Sequence, residues 1–83
     1  MSDDHYIETT VKEIIAKQLT MDVGKINLES RLVEDLGIDS FGSVEIAFEL
    51  EEKFDLKIPD ADLYEAKTVK NIVDYIASKK GEK

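Results

Sequence analysis

The chain has 83 residues, with eleven basic and nineteen acidic side chains, a formal charge of −8 and 42% hydrophobic residues. That is about half the usual domain length, so one domain over residues 1–83 is expected, too apolar for a disordered acidic tail and too small for a deep substrate cavity with a supporting shell. No apolar run reaches the length of a membrane span, the lack of Cys removes disulfide and thiol chemistry, and the negative charge disfavours nucleic acid and anionic lipid.

The opening Met1-Ser2-Asp3-Asp4-His5 lacks the basic and apolar regions of a signal peptide, so a cytoplasmic protein with basic partners is expected. From Asp3 to Leu19, the apolar residues Ile7, Val11, Ile14, Ile15 and Leu19 form one stripe of a helix, with Ser2, Asp3 or Asp4 available as its cap. Residues 20–39 show no regular period, but Val23, Ile26, Leu28, Leu32, Leu36 and Ile38 recur through them. Such a long connection is expected to be pinned across the fold, with a helical turn near Leu32 to Leu36, and to hold Gly37-Ile38-Asp39-Ser40 in place. A helix follows from Ser40 to Phe54, and Pro59 can open a short one through Ala66. The last helix runs from Val69 to Ser78, capped by Thr68, with Val69, Ile72, Val73, Ile76 and Ala77 on one face and Lys79-Lys80-Gly81 as its exit. The expected architecture is all-α: a small four-helix bundle of three longer helices and a short third one, with a long loop between helices 1 and 2.

The central helix carries two apolar stripes. At about 100° per residue, Ile46, Ala47, Leu50 and Phe54 cluster on one side, and Phe41, Val44 and Phe48 cluster nearly opposite. Only one stripe can face the core of so small a bundle. The other is interleaved with Glu45, Glu51 and Glu52, an acid-edged apolar strip suited to a partner with a basic rim around an apolar patch. Charge concentrates here: residues 39–55 hold six acids against Lys53, whereas residues 67–83 hold five lysines against Asp74 and Glu82.

Autonomous chemistry finds little support. His5 is the sole His and sits near the N-terminus, far from any obvious Ser partner, and the paired acids lack the burial that general acid–base work needs. No dedicated metal site is expected among Glu34, Asp39, Glu51, Glu52 and Asp60. Ser40 differs, because a helix N-terminus favours negative charge and a phosphate ester on its hydroxyl would be well placed. On position alone, an ordinary N-cap role for Ser40 or Asp39 is the stronger reading.

The run Gly37-Ile38-Asp39-Ser40-Phe41, with Glu34-Asp35-Leu36 before it and Leu50-Glu51-Glu52-Lys53-Phe54, Ile58-Pro59-Asp60 and Thr68-Val69 after it, resembles the attachment motif of acyl carrier proteins. The resemblance extends from about Ile7 to Ile76 and implies a monomeric, non-catalytic carrier. Ser40 would receive 4′-phosphopantetheine from coenzyme A through a phosphopantetheinyl transferase, with Asp39 helping to engage that enzyme. The arm's thiol would hold acyl groups as thioesters for fatty-acid or polyketide-type synthesis, presented to acyl-loading, condensing and acyl-transfer enzymes. The partner face would comprise Phe41, Val44, Glu45, Phe48, Glu51 and Glu52. Ala47, Leu50, Phe54, Ile58, Leu63, Ala66 and Ile72 would line the shelter for an acyl chain.

Phe41 stands where the family usually has Leu, and Gly42 where it often has an acid, which suggests a specialised pathway. Gly42 also keeps open a carrier of D-alanyl, other aminoacyl or peptidyl units. An unmodified helical adaptor that binds basic partners through Phe41, Val44 and Phe48 is a third possibility.

Overall fold

A computed structural model describes residues 3–81 of the chain. Ser2 and the side chains of Asp3 and Asp4, among which the first cap was expected, lie outside the described residues. Four α-helices follow in order: α1 Asp3–Leu19, α2 Ser40–Phe54, α3 Asp60–Glu65 and α4 Val69–Gly81, with a 3-10 turn at Val23–Lys25 in the long connection. Among the described residues there is no strand, only an isolated bridge between Arg31 and Thr68. The sequence places α2 at the observed limits. It ends α4 three residues early: Lys79, Lys80 and Gly81 continue the helix, because two lysines at the negative end of a helix dipole favour extension.

The core forms where the helical stripes meet. Ile7, Val11 and Ile15 of α1, Ile46, Leu50 and Phe54 of α2, and Val69, Ile72, Val73 and Ile76 of α4 are buried together. α1 packs against both α2 and α4. Burying one such side chain stabilises by roughly 1.5–3 kcal/mol, so this cluster dominates the fold.

The connection from α1 to α2 is pinned as expected, and backbone hydrogen bonds add to the hold. Val69 N–H donates to Ser30 O (3.1 Å), Lys70 N–H to Leu28 O (2.8 Å) and Leu32 N–H to Lys67 O (2.9 Å). The loop therefore satisfies amides that the start of α4 leaves without intrahelical partners. Thr68 completes that cap by accepting from Asn71 N–H (3.2 Å), while Asn71 Oδ1 accepts from Lys67 and Thr68 N–H. Ile26, Leu32 and Ile38 are buried, and Leu28 and Leu36 pack beside the core. Val23, expected among the pins, is exposed on the 3-10 turn. The segment near Leu32 to Leu36 is a tight turn: Asp35 and Leu36 N–H both donate to Arg31 O, and Gly37 N–H donates to Val33 O. The Asp35 carboxylate accepts from Arg31 N–H (2.8 Å) and lies beside its guanidinium, and these contacts hold its pKa below the usual value.

Candidate functional site

The site is built around the junction of that turn with α2. Gly37 has φ 70°, a left-handed conformation that turns the chain sharply, and Ile38 then anchors it in the core. Asp39 follows in extended conformation and is the N-cap of α2. Its carboxylate accepts from Gly42 N–H (2.7 Å) and its carbonyl from Ser43 N–H (2.9 Å). Of the two candidate caps the structure selects Asp39, which frees the Ser40 hydroxyl from that work. Ser40 is exposed at the first helical position.

Gly42 gains a structural reason here. A Cβ at this position would sit 3.2 Å from Asp39 Oδ1 and 3.4 Å from Ile38 Cγ2, pressing on the cap beside Ser40. With two first-turn amides occupied by Asp39, those of Ser40 and Phe41 remain without intrahelical partners at the positive end of the dipole. An exposed hydroxyl, unhindered backbone and that dipole fit a phosphate-linked group.

The two stripes of α2 separate as their angles require. Ile46, Ala47, Leu50 and Phe54 are buried, while Phe41, Val44 and Phe48 are 71%, 51% and 59% exposed. Their acids are less uniform than the pattern suggests. Glu52 is exposed, but half-buried Glu45 accepts from Gln18 of α1 (2.8 Å) and half-buried Glu51 accepts from Ile58 N–H (2.8 Å). Both contribute charge to the face and also hold neighbouring segments.

Two neighbouring concavities lie beside α2, and Ser40 lines one of them. An outer groove of about 610 Å³ is lined by Ser40, Ser43, Asp39, Val33 and Tyr64 among others. An inner cavity of about 190 Å³ lies between α2, α3 and α4. Ile46, Leu63, Ala66 and Ile72 line both, so the two are adjacent. Leu50, Ile58, Leu63, Ala66 and Ile72 of the expected lining border the inner cavity. Ala47 and Phe54 do not: Ala47 is buried elsewhere, and the Phe54 ring packs edge-on against Tyr6 of α1, with centroids 6.0 Å apart. Ile46 takes their place, one turn before Leu50 and on the same stripe.

Sequence reasoning missed Val33 and Tyr64, exposed side chains that flank the groove beside Ser40. Neither belongs to a periodic stripe, so no local pattern in the sequence marks them. Tyr75 of α4 was also missed. Its hydroxyl donates to Asp62 of α3 (2.7 Å), and burial followed by that carboxylate pushes its pKa up to about 12. His5 is exposed, and among the described residues no three His, Asp or Glu side chains gather as a metal site.

The family profile described as "Phosphopantetheine attachment site" matches residues 9–76. An acyl carrier protein of Helicobacter hepaticus is 44% identical over 71 residues, covering 86% of this chain and 93% of the relative. One from Bdellovibrio bacteriovorus is 43% identical over 73 residues, covering 88% and 94%. A solved structure from Mycobacterium tuberculosis, described as a candidate acyl carrier protein, superposes with a TM-score of 0.83 at 33% identity, covering 88% of this chain and 97% of that one.

Proposed function

Because this chain belongs to the acyl carrier protein family and bears 4′-phosphopantetheine, we propose that the arm hangs from Ser40 and that residues 1–83 work as one carrier domain. The observation that carries the assignment is the Asp39 cap, which holds Ser40 exposed at the head of α2 at the mouth of the groove. Asp39 would keep its capping bond and present the serine to a phosphopantetheinyl transferase. The prosthetic group supplies a thiol, absent from this Cys-free chain, on which acyl groups ride as thioesters.

The chain's own residues bind and present. Leu50, Ile58, Leu63, Ala66 and Ile72, joined by Ile46, would shelter the apolar part of the cargo. Phe41, Val44 and Phe48 would meet the apolar patch of a partner while Glu45, Glu51 and Glu52 attract its basic rim. Partners of that kind are acyl-loading, condensing and acyl-transfer enzymes. The protein would act as a cytoplasmic monomer, with no chemistry of its own, in fatty-acid or polyketide-type synthesis. Phe41 and Gly42 favour a specialised pathway within that class.

The named relatives are acyl carriers, which favours acyl cargo over aminoacyl or peptidyl units. Intact-mass analysis of the pantetheinylated protein, incubated with acyl-loading or with amino-acid-adenylating enzymes, tests this directly. Acyl adducts with the first set alone are expected; aminoacyl adducts with the second would overturn the acyl assignment.

A further inference from the structure

The helix that walls the inner cavity is the least anchored one in the fold. α3 has six residues, none of them buried, and Pro59 gives its start no side-chain cap. Among the described residues, its one side-chain hydrogen bond to another helix runs from Tyr75 Oη on α4 to Asp62 Oδ2, at 2.7 Å. Both partners line the inner cavity. The acceptor is a carboxylate, which makes this bond stronger than a neutral pair. Tyr75 Oη also lies 3.5 Å from Lys57 O in the segment that leads into α3, and Lys79 Nζ lies 5.3 Å from the ring centroid. The tyrosine thus joins α4 to α3 and to its entry segment.

We propose that Tyr75 is a positioning residue which, through Asp62, latches α3 over the inner cavity and so limits the length of chain the cavity admits. α2 and α4 supply the fixed walls through Ile46, Leu50 and the buried Ile72, all parts of the core. α3 supplies the movable wall through half-buried Leu63, with Ala66 just beyond its end. With the bond broken, α3 itself keeps only these modest apolar contacts, while Glu51 still holds Ile58 at its entry, so its outward movement is eased and the space behind it deepens. Burial and Asp62 keep the hydroxyl protonated well above neutral pH, so the donor is present under all ordinary conditions.

The latch stands on these contacts alone, whereas what enters the cavity rests on the acyl-sheltering function proposed above. Backbone hydrogen exchange of the full, unmodified chain therefore comes first, comparing wild type with Tyr75→Phe and Asp62→Ala, each of which removes one partner of the bond. Exchange from Leu63 to Ala66 is expected to rise about tenfold or more in either variant, with α1 and α4 protected as before and the double variant no faster than the singles. Unchanged exchange at α3, or an equal rise in every helix, would overturn the latch. Loading the protein with acyl thioesters of graded length then tests the limit. The longest chain that slows α3 exchange should be longer in Tyr75→Phe than in wild type, and equal limits would overturn that part. A selective rise at α3 with no response to any loaded chain would keep the latch and remove acyl sheltering.

Discussion

Thr20 and Asp55 are held at φ 56°, where L side chains are strained, and each ends a helix. Thr20 N–H donates to Lys17 O and Met21 N–H to Ala16 O, a helix-ending pattern that favours glycine. Asp55 does the same work at the end of α2, with Leu56 N–H on Glu51 O, and adds negative charge at the negative end of the dipole. Thr20→Gly and Asp55→Gly should each stabilise by about 1 kcal/mol, raising the melting temperature by roughly 4–8 °C. Thermal unfolding followed by circular dichroism checks this, and an unchanged or lower midpoint would contradict it. Tyr75 gives a pH signature of definite sign. Its folded pKa, about 12, exceeds the ordinary 10.0, so the folded state keeps a proton that the unfolded chain loses. Its contribution is full below pH 10 and is lost as the pH rises through 12. Wild type should lose stability over that window more steeply than Tyr75→Phe in denaturant titrations, and parallel curves would contradict the assignment.

At the level of elements, the helices were legible because their apolar residues repeat at helical spacing and their ends carry recognisable residues. Pro59 before α3 and Thr68 before α4 both lie where the sequence puts them, and the two stripes of α2 follow from angle arithmetic alone. The connection between α1 and α2 was legible only as a pinned segment. Its backbone bonds to Lys67, Val69 and Lys70 join residues some forty positions apart, and no local pattern encodes them. The same limit explains the site. Ser40 and Asp39 are adjacent and form a motif, whereas the Tyr75–Asp62 bond spans two helices and leaves no periodic trace. Asn71 shows what such local caps contribute. Its side chain accepts from Lys67 and Thr68 N–H, so Asn71→Ala should cost about 1 kcal/mol and loosen the Leu32-to-Lys67 bond next to it. Denaturant unfolding gives the cost; a variant as stable as wild type would show that water replaces the amide.

Taken whole, the molecule divides its labour between a core that fixes positions and a surface left for partners. Phe41 and Phe48 are each more than half exposed, so their replacement should spare the fold and weaken docking. Phe41→Ala and Phe48→Ala should melt within about 0.5 kcal/mol of wild type, as surface changes usually do. Capture by a condensing or transfer enzyme should nevertheless slow, and wild-type capture should slow as salt screens the acidic face. Equal capture by variants and wild type would remove α2 as the docking face. All of this presupposes the point of attachment. The most direct measurement is peptide-resolved mass spectrometry after treatment with a phosphopantetheinyl transferase and coenzyme A, using wild type, Ser40→Ala and Ser43→Ala. A single phosphopantetheine increment is expected on Ser40 in wild type and Ser43→Ala, and none in a folded Ser40→Ala. An increment that survives in Ser40→Ala, or maps to Ser43, would contradict it.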